Sequence, residues 1–372
     1  MYSMGPITRR GYAVWDRGIF PIDEFTERYA HVRSRMAAEG LGAIIVFGNM
    51  FDDADLAYLA GGHLDGAVIV SAQDEPRFIS AGGSRELYFH KTLTWIERVD
   101  IAGPAGLAAA LAKALQELSA LDGPIGIVGR QSLSPKVNAQ MSEALSQWSV
   151  HDADHLLADI RACARERETL AVRVALAIAT SAVEAGETAF AAGASNAEAL
   201  VEAERAARLR RAWDVRLLSN IDRPDLRPYE GASATRLSPF VLWVGVRYQG
   251  YWAETVNAHA DPDGFANRAL SAMESATGTG AVAGQVAEAA TRVLDDASAY
   301  ALSYGLGSAI GQTPAEGPVL RLGNRETLRA GQLLTLRVAA RRGDTLAMAA
   351  RTVRVQDGGC ERLEPFKPSW AV

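Results

Sequence analysis

FVLWVGVRYQGYWAETVN, residues 240–257, is the stretch on which the fold turns. Two β-rich runs, 240–248 and 251–257, flank Gln249-Gly250, and a short glycine-containing connection between such runs predicts a β-hairpin. Side chains alternate along a strand, so Trp243, Gly245 and Arg247 point one way and share a face with Trp252, Glu254 and Val256. That face puts one carboxylate between two tryptophans. Partial burial would raise the pKa of Glu254 toward the range of a general base, so Glu254 is a candidate base or substrate anchor.

On either side of the hairpin the pattern changes from strand to helix and back. Helical spacing covers 155–182, 196–211, 267–276 and 282–304, and further strands are predicted at 333–339 and 352–355. Helices and antiparallel strands together predict an α+β domain. Residues 1–22 read as an extended arm. Phe25, Tyr29, Val32 and Met36 then mark a helix over 24–38 that stops at Gly40. GLGAIIVFG, residues 40–48, reads as a buried strand of parallel type, followed by strands at 67–70, 77–79 and 125–128 and an Ala/Leu helix at 104–121. Alternating strands and helices predict a smaller α/β domain over 1–152, ahead of the larger domain over 153–372.

The composition excludes several classes. With 38 basic and 44 acidic residues in 372, the net charge of −6 argues against nucleic-acid or anionic-membrane partners. No uninterrupted apolar run reaches the roughly 18 residues of a membrane span, and the start of the chain lacks the apolar core of a signal peptide. Two cysteines exclude a disulfide scaffold or cysteine-rich metal site, so a reducing cytoplasm is the expected setting. His151 and His155 have the i, i+4 spacing of a zinc pair, but Asp152 or Asp154 reads better as a helix cap there. Arg165, Glu166, Arg167 and Glu168 read as a solvated helix face.

Ordered landmarks resemble one family. Glu39–Val46 followed by Tyr58-Leu59-Ala60-Gly61, Ile160-Arg161 through Glu168, Gly193–Glu198, Gly250-Tyr251, Gly307–Gly311 with Glu316-Gly317-Pro318, and Leu328–Gln332 with Thr335-Leu336 are similar to the motif series of the creatinase/methionine aminopeptidase proteins, which include prolidases and aminopeptidase P. The resemblance implies a pita-bread C-terminal domain preceded by a creatinase-type N-terminal domain. It also implies two divalent metals held by two Asp, one His and two Glu, which together activate a water. Carried over, those positions fall on Trp243, Glu254, Ser308, Arg337 and, near the end, Ala350; accessory histidines fall on Ala315 and near Tyr229. One carboxylate cannot hold two ions, and Arg337 places a fixed cation where a metal would sit. The expectation is therefore a metal-free protein without a cofactor. Creatinase, a metal-free relative, uses a histidine and a glutamate that this chain also lacks, the glutamate position being Val256.

The candidate catalytic residues are Glu254, Glu316 and Tyr229. The candidate substrate-binding residues are Arg337, Trp243, Trp252 and Ser308. Arg337 can fork onto a carboxylate or phosphate, or it can close an ion pair with Glu254. Glu316 falls on a glutamate that the family keeps beside its metals. Ser308 has no adjacent histidine and reads as a hydrogen-bonding residue rather than a nucleophile. The implied activity is metal-independent, hydrolase-type chemistry on a small polar molecule. The alternative is an inactive pita-bread protein that binds or scaffolds. A homodimer is expected by analogy with two-domain relatives, in which the partner helps to close the site.

Overall fold

The computed structural model describes residues 15–49, 54–62, 64–228, 231 and 233–368. The chain divides into two compact units, Met1–Arg161 and Ala162–Val372. The division falls nine residues beyond the expected 152/153 boundary, because the helix after residue 153 packs with the first unit.

In the first unit, α1 (Ile22–Ala38) leads into β1 (Ala43–Gly48). The stop between them is a Schellman turn: Gly40 has φ +67°, its N–H donates to Ala37 O, and the Leu41 N–H donates to Met36 O. Next come α2 (Ala54–Ala60), β2 (Gly66–Ser71), β3 (Arg77–Ser80), α3 (Ser84–Leu93), β4 (Arg98–Ile101) and α4 (Gly106–Gln116). The unit closes with β5 (Ile125–Val128), α5 (Pro135–Ala144), β6 (Val150–Asp152) and α6 (Asp154–Arg161). The sheet order is β4-β3-β2-β1-β5-β6. β1 is continuously apolar because both its faces are covered. Ile44 and Val46 pack with Tyr29, Val32 and Met36 of α1, whereas Ile45 and Phe47 pack with Leu111 and Leu115 of α4. It was expected to be a parallel strand, but it runs parallel only to β5 and antiparallel to β2, so the sheet is mixed. Burial on both faces produces the same apolar run in either case.

The second unit opens with α7 (Glu166–Ala191) and α8 (Asn196–Leu209). The single helix expected over 155–182 is thus two, separated by an extended Arg165 whose N–H donates to Glu168 Oε2. Nor is Glu168 on a solvated face: it is buried, and its other oxygen accepts the Tyr251 hydroxyl. α7 is long and apolar enough to cross a membrane, yet two thirds of its most apolar window is buried within the fold, against α8, β8 and β9. β7 (Asp214–Ser219), β8 (Leu242–Tyr248) and β9 (Tyr251–Val256) form one antiparallel sheet. α9 (Phe265–Ser275), α10 (Ala283–Leu294) and α11 (Ser298–Tyr304) follow, the last two replacing the one helix expected over 282–304. The break lies at Asp295, whose φ of +48° no α-helix accommodates. β10 (Gly307–Ala309), β11 (Glu316–Val319), β12 (Leu333–Arg342), β13 (Thr345–Gln356) and β14 (Gly359–Arg362) form a second sheet ordered β11-β10-β12-β13-β14. Helices α9 and α10 cover its apolar side through Leu270, Met273, Val286 and Leu294, and β9 lies beside β13.

Candidate functional site

The β8–β9 hairpin turns at Gln249 (φ +50°) and Gly250 (φ +90°), a pair of left-handed residues that matches the twist of the flanking strands. Its register places Trp243 opposite Val256, Gly245 opposite Glu254 and Arg247 opposite Trp252, the face expected from the sequence. Gly245 is needed there: a Cβ on it would come within 2.9 Å of the Trp243 ring, which leans across it. Trp243 also packs with Val241, Ala339 and Met348, so its indole is part of an apolar cluster.

β12 supplies the opposing charge. Arg337 Nη1 donates to Glu254 Oε2 at 3.2 Å. The Arg337 guanidinium carbon lies 5.4 Å from the Tyr304 ring centroid and 6.0 Å from that of Trp243. Arg337 therefore sits among a carboxylate and two aromatic rings, a setting that suits a weakly hydrated cation. Burial raises the pKa of Glu254, opposed by the Arg337 charge and the Trp243 N–H. Burial works against the Arg337 cation, but Glu254 and Tyr304 outweigh it and hold the guanidinium protonated. Burial also pushes the Tyr304 phenol upward, so it is a neutral hydroxyl.

The centre is incompletely satisfied. Trp243 Nε1, Glu254 Oε1, Tyr304 Oη, Arg337 Nε, Thr335 Oγ1 and Thr352 Oγ1 are all buried, and none makes a hydrogen bond of good geometry within the protein. Ser308, Thr335 and Thr352 are neighbours in register across β10, β12 and β13, forming a row of small hydroxyl residues beside the Arg337–Ala350 pair. A cavity of about 240 Å³ is bordered by Glu254, Ala350 and Thr352 together with Leu176 and Thr180 of α7.

Glu254, Arg337 and Trp243 are thus brought together. Trp252 is buried on the same strand face as Glu254, but its ring is covered by the exposed Arg216 guanidinium at 4.7 Å. Ser308 is buried in the hydroxyl row and donates to Ala309 O. The Glu316 carboxylate accepts the Thr313 N–H and lies against Gly311, closing the loop over 311–316. Tyr229 lies outside the described residues. Tyr304, Thr335 and Thr352 were missed. Tyr304 precedes Ser308 by four residues, a position from which it could have been nominated, whereas the threonines look like ordinary strand residues. His155 and His151 form no metal pair, since they contact Glu39 and Ser149, and Asp152 accepts the Asp154 N–H.

The metals that the family resemblance implies do not fit this centre. Glu254 is the one carboxylate at the five positions, and its Oε2 is engaged by a guanidinium. Among the described residues no three His, Cys, Asp or Glu side chains are grouped to hold an ion.

Residues 28–163 match the Creatinase/Prolidase N-terminal domain family. The chain has the prolidase fold. The prolidase of Pyrococcus horikoshii OT3 superposes with a TM-score of 0.70 at 16% identity, over 92% of this chain and 99% of that one. The X-Pro aminopeptidase of Thermotoga maritima gives 0.73 at 17%, over 90% and 98%. The N-terminal domain of the FACT complex subunit SPT16 from chickpea gives 0.66 at 13%, over 92% and 96%. No curated protein sequence matches the chain. The prolidase fold is therefore retained over nearly the whole length, with a creatinase-type first domain and a pita-bread second one.

Proposed function

We propose that this chain is a metal-independent protein of the prolidase fold that binds a small polar, amino-acid-like molecule at Glu254 and Arg337 and acts on it by hydrolase-type chemistry. The observation that carries this reading is the cluster of buried polar atoms around the ion pair that make no hydrogen bond of good geometry. A buried donor or acceptor left without a partner costs about 1–3 kcal/mol. The Trp243 N–H only partly meets Glu254 and the Tyr304 hydroxyl only partly meets Arg337, and with the Thr335 and Thr352 hydroxyls beside them that place is receptive to a polar guest. A zwitterion suits it best. Its carboxylate would take the Arg337 fork and its ammonium the Glu254 carboxylate, so the guest replaces one internal ion pair with two. The internal pair must first be displaced, which keeps affinity modest unless water is excluded. Glu254 is the proton-transferring group, because burial already brings its neutral and charged forms closer in energy.

A second reading is favoured by the closure of the pair and by the packing of Trp243 into an apolar cluster. In it the centre is a plug, and the chain is an inactive binding or scaffold protein. A thermal-shift screen of amino acids, dipeptides and amides on protein assayed for bound metal separates the two. The first reading expects no stoichiometric Mn, Co or Zn, at least one stabilising ligand, and loss of turnover in Glu254→Gln with the fold intact. About two metal equivalents per chain would overturn metal independence, and the absence of any ligand would leave the plug.

A further inference from the structure

We propose a second binding site, at the C-terminal end of α7, for a small organic ammonium ion carried on an aromatic or branched apolar body. A cavity of about 620 Å³ lies there, within the range of small-molecule sites. Its walls include Glu187 and Phe190 from the last turns of α7, Pro239 and Phe240 ahead of β8, and His259 and Pro262 after β9. None of these residues belongs to the Glu254–Arg337 centre, so the two proposals stand independently.

Three features define the ligand. The floor is aromatic: the Phe190 and Phe240 rings stack at 4.5 Å with 9° between their planes. Glu187 brings a carboxylate whose buried Oε1 accepts no hydrogen bond. The helix end adds to this, since the carbonyl terminus of a 26-residue helix carries partial negative charge and favours cations. Two neighbouring polar groups are already committed. Arg236 donates to Phe190 O at 2.9 Å and lies over the Phe190 ring, and Asn257 holds both ends of its amide on the backbone of Phe240 and Leu242. What remains open is the Glu187 carboxylate above an apolar floor, with the Ser238 and His259 side chains at the wall, an arrangement that complements an arylalkylamine.

Isothermal titration with tryptamine and with indole-3-propionate, which share a ring system and differ in charge sign, tests the site. Tryptamine should bind and the propionate should be weaker by at least about tenfold. Glu187→Gln should weaken tryptamine by about tenfold, Ala191→Trp should abolish its binding by filling the cavity, and Arg337→Met should leave it unchanged. Circular dichroism checks that each variant is folded. No binding of tryptamine at millimolar concentration, equal binding of the two probes, or full affinity in both Glu187→Gln and Ala191→Trp would overturn the proposal. Loss in Arg337→Met would reassign the ligand to the central pair.

Discussion

Each unit of the molecule buries a Glu–Arg pair, and the two pairs are built differently. In the first unit, Arg28 is 1% exposed; its Nε donates to Glu24 Oε1 at 3.0 Å and its Nη1 to Tyr58 O at 2.7 Å. Its guanidinium lies over the rings of Phe20, Phe25 and Tyr58 at 4.4–5.2 Å. In the second unit, Arg337 makes one bond to Glu254, and both Arg337 Nε and Glu254 Oε1 are left over. The first pair joins residues one helical turn apart, and the second joins residues 83 apart. A buried ion pair repays its desolvation when its remaining groups find partners. By that measure Glu24–Arg28 is a structural fastening, whereas Glu254–Arg337 leaves a donor and an acceptor without a bond of good geometry.

The sharpest break of this contrast is deletion of each cation. Arg28→Met should cost about 3–5 kcal/mol in urea denaturation, because it strands Glu24 and empties a cage of three rings. Arg337→Met should cost less, about 2 kcal/mol or below near pH 5, because burial raises the pKa of Glu254 and lets it take up a proton once the cation is gone. Equal losses in the two variants would erase the distinction.

The pH dependence sharpens the contrast. The folded-state pKa of Glu254 is raised above its ordinary 4.5. Above pH 4.5 the unfolded chain has released a proton that the native state still holds, so the stabilising contribution fades as pH rises through the folded-state pKa. Glu254→Gln should flatten this decline relative to wild type, and Arg337→Met should steepen it and extend it upward. Parallel stability–pH curves for wild type and Glu254→Gln would show that Glu254 titrates normally.

The smallest effects concern the hydroxyls. Thr335→Val removes a buried hydroxyl that has no partner and should stabilise by about 1 kcal/mol. Ser219→Ala removes one that donates to Val241 O at 2.6 Å and should destabilise by a similar amount. If Thr335→Val instead destabilises, the central row is satisfied and the site is less receptive than the ion pair suggests.

Much of the fold is legible along the chain, because it rests on local physics. The alternation in FVLWVGVRYQGYWAETVN and its Gln249-Gly250 connection predict the hairpin and the shared face of Trp243 and Glu254, both of which the register reproduces. Gly40 announces the end of α1. Legibility falls where a local pattern has two solutions. The apolar run of β1 is the same whether a neighbouring strand is parallel or antiparallel. The charged stretch over 165–168 looks solvated until Tyr251, 83 residues beyond Glu168, arrives to bury Glu168.

The candidate centre divides in the same way. Residue types carry the expectation that four of the five family ligand positions hold no carboxylate or imidazole, since that depends on which side chain stands at each place in an ordered motif. Only the tertiary structure decided that Arg337 touches Glu254 through a single bond, that Tyr304 and Trp243 enclose it, that Glu316 serves its own loop and that Arg216 covers Trp252. The surroundings of Arg337 arise where β9 lies beside β13 and where α11 meets β12. Their geometry follows from how separately folded sheets and helices settle against one another. Side-chain period along a strand states which way a residue points, but it carries no record of what the packing will place in front of it.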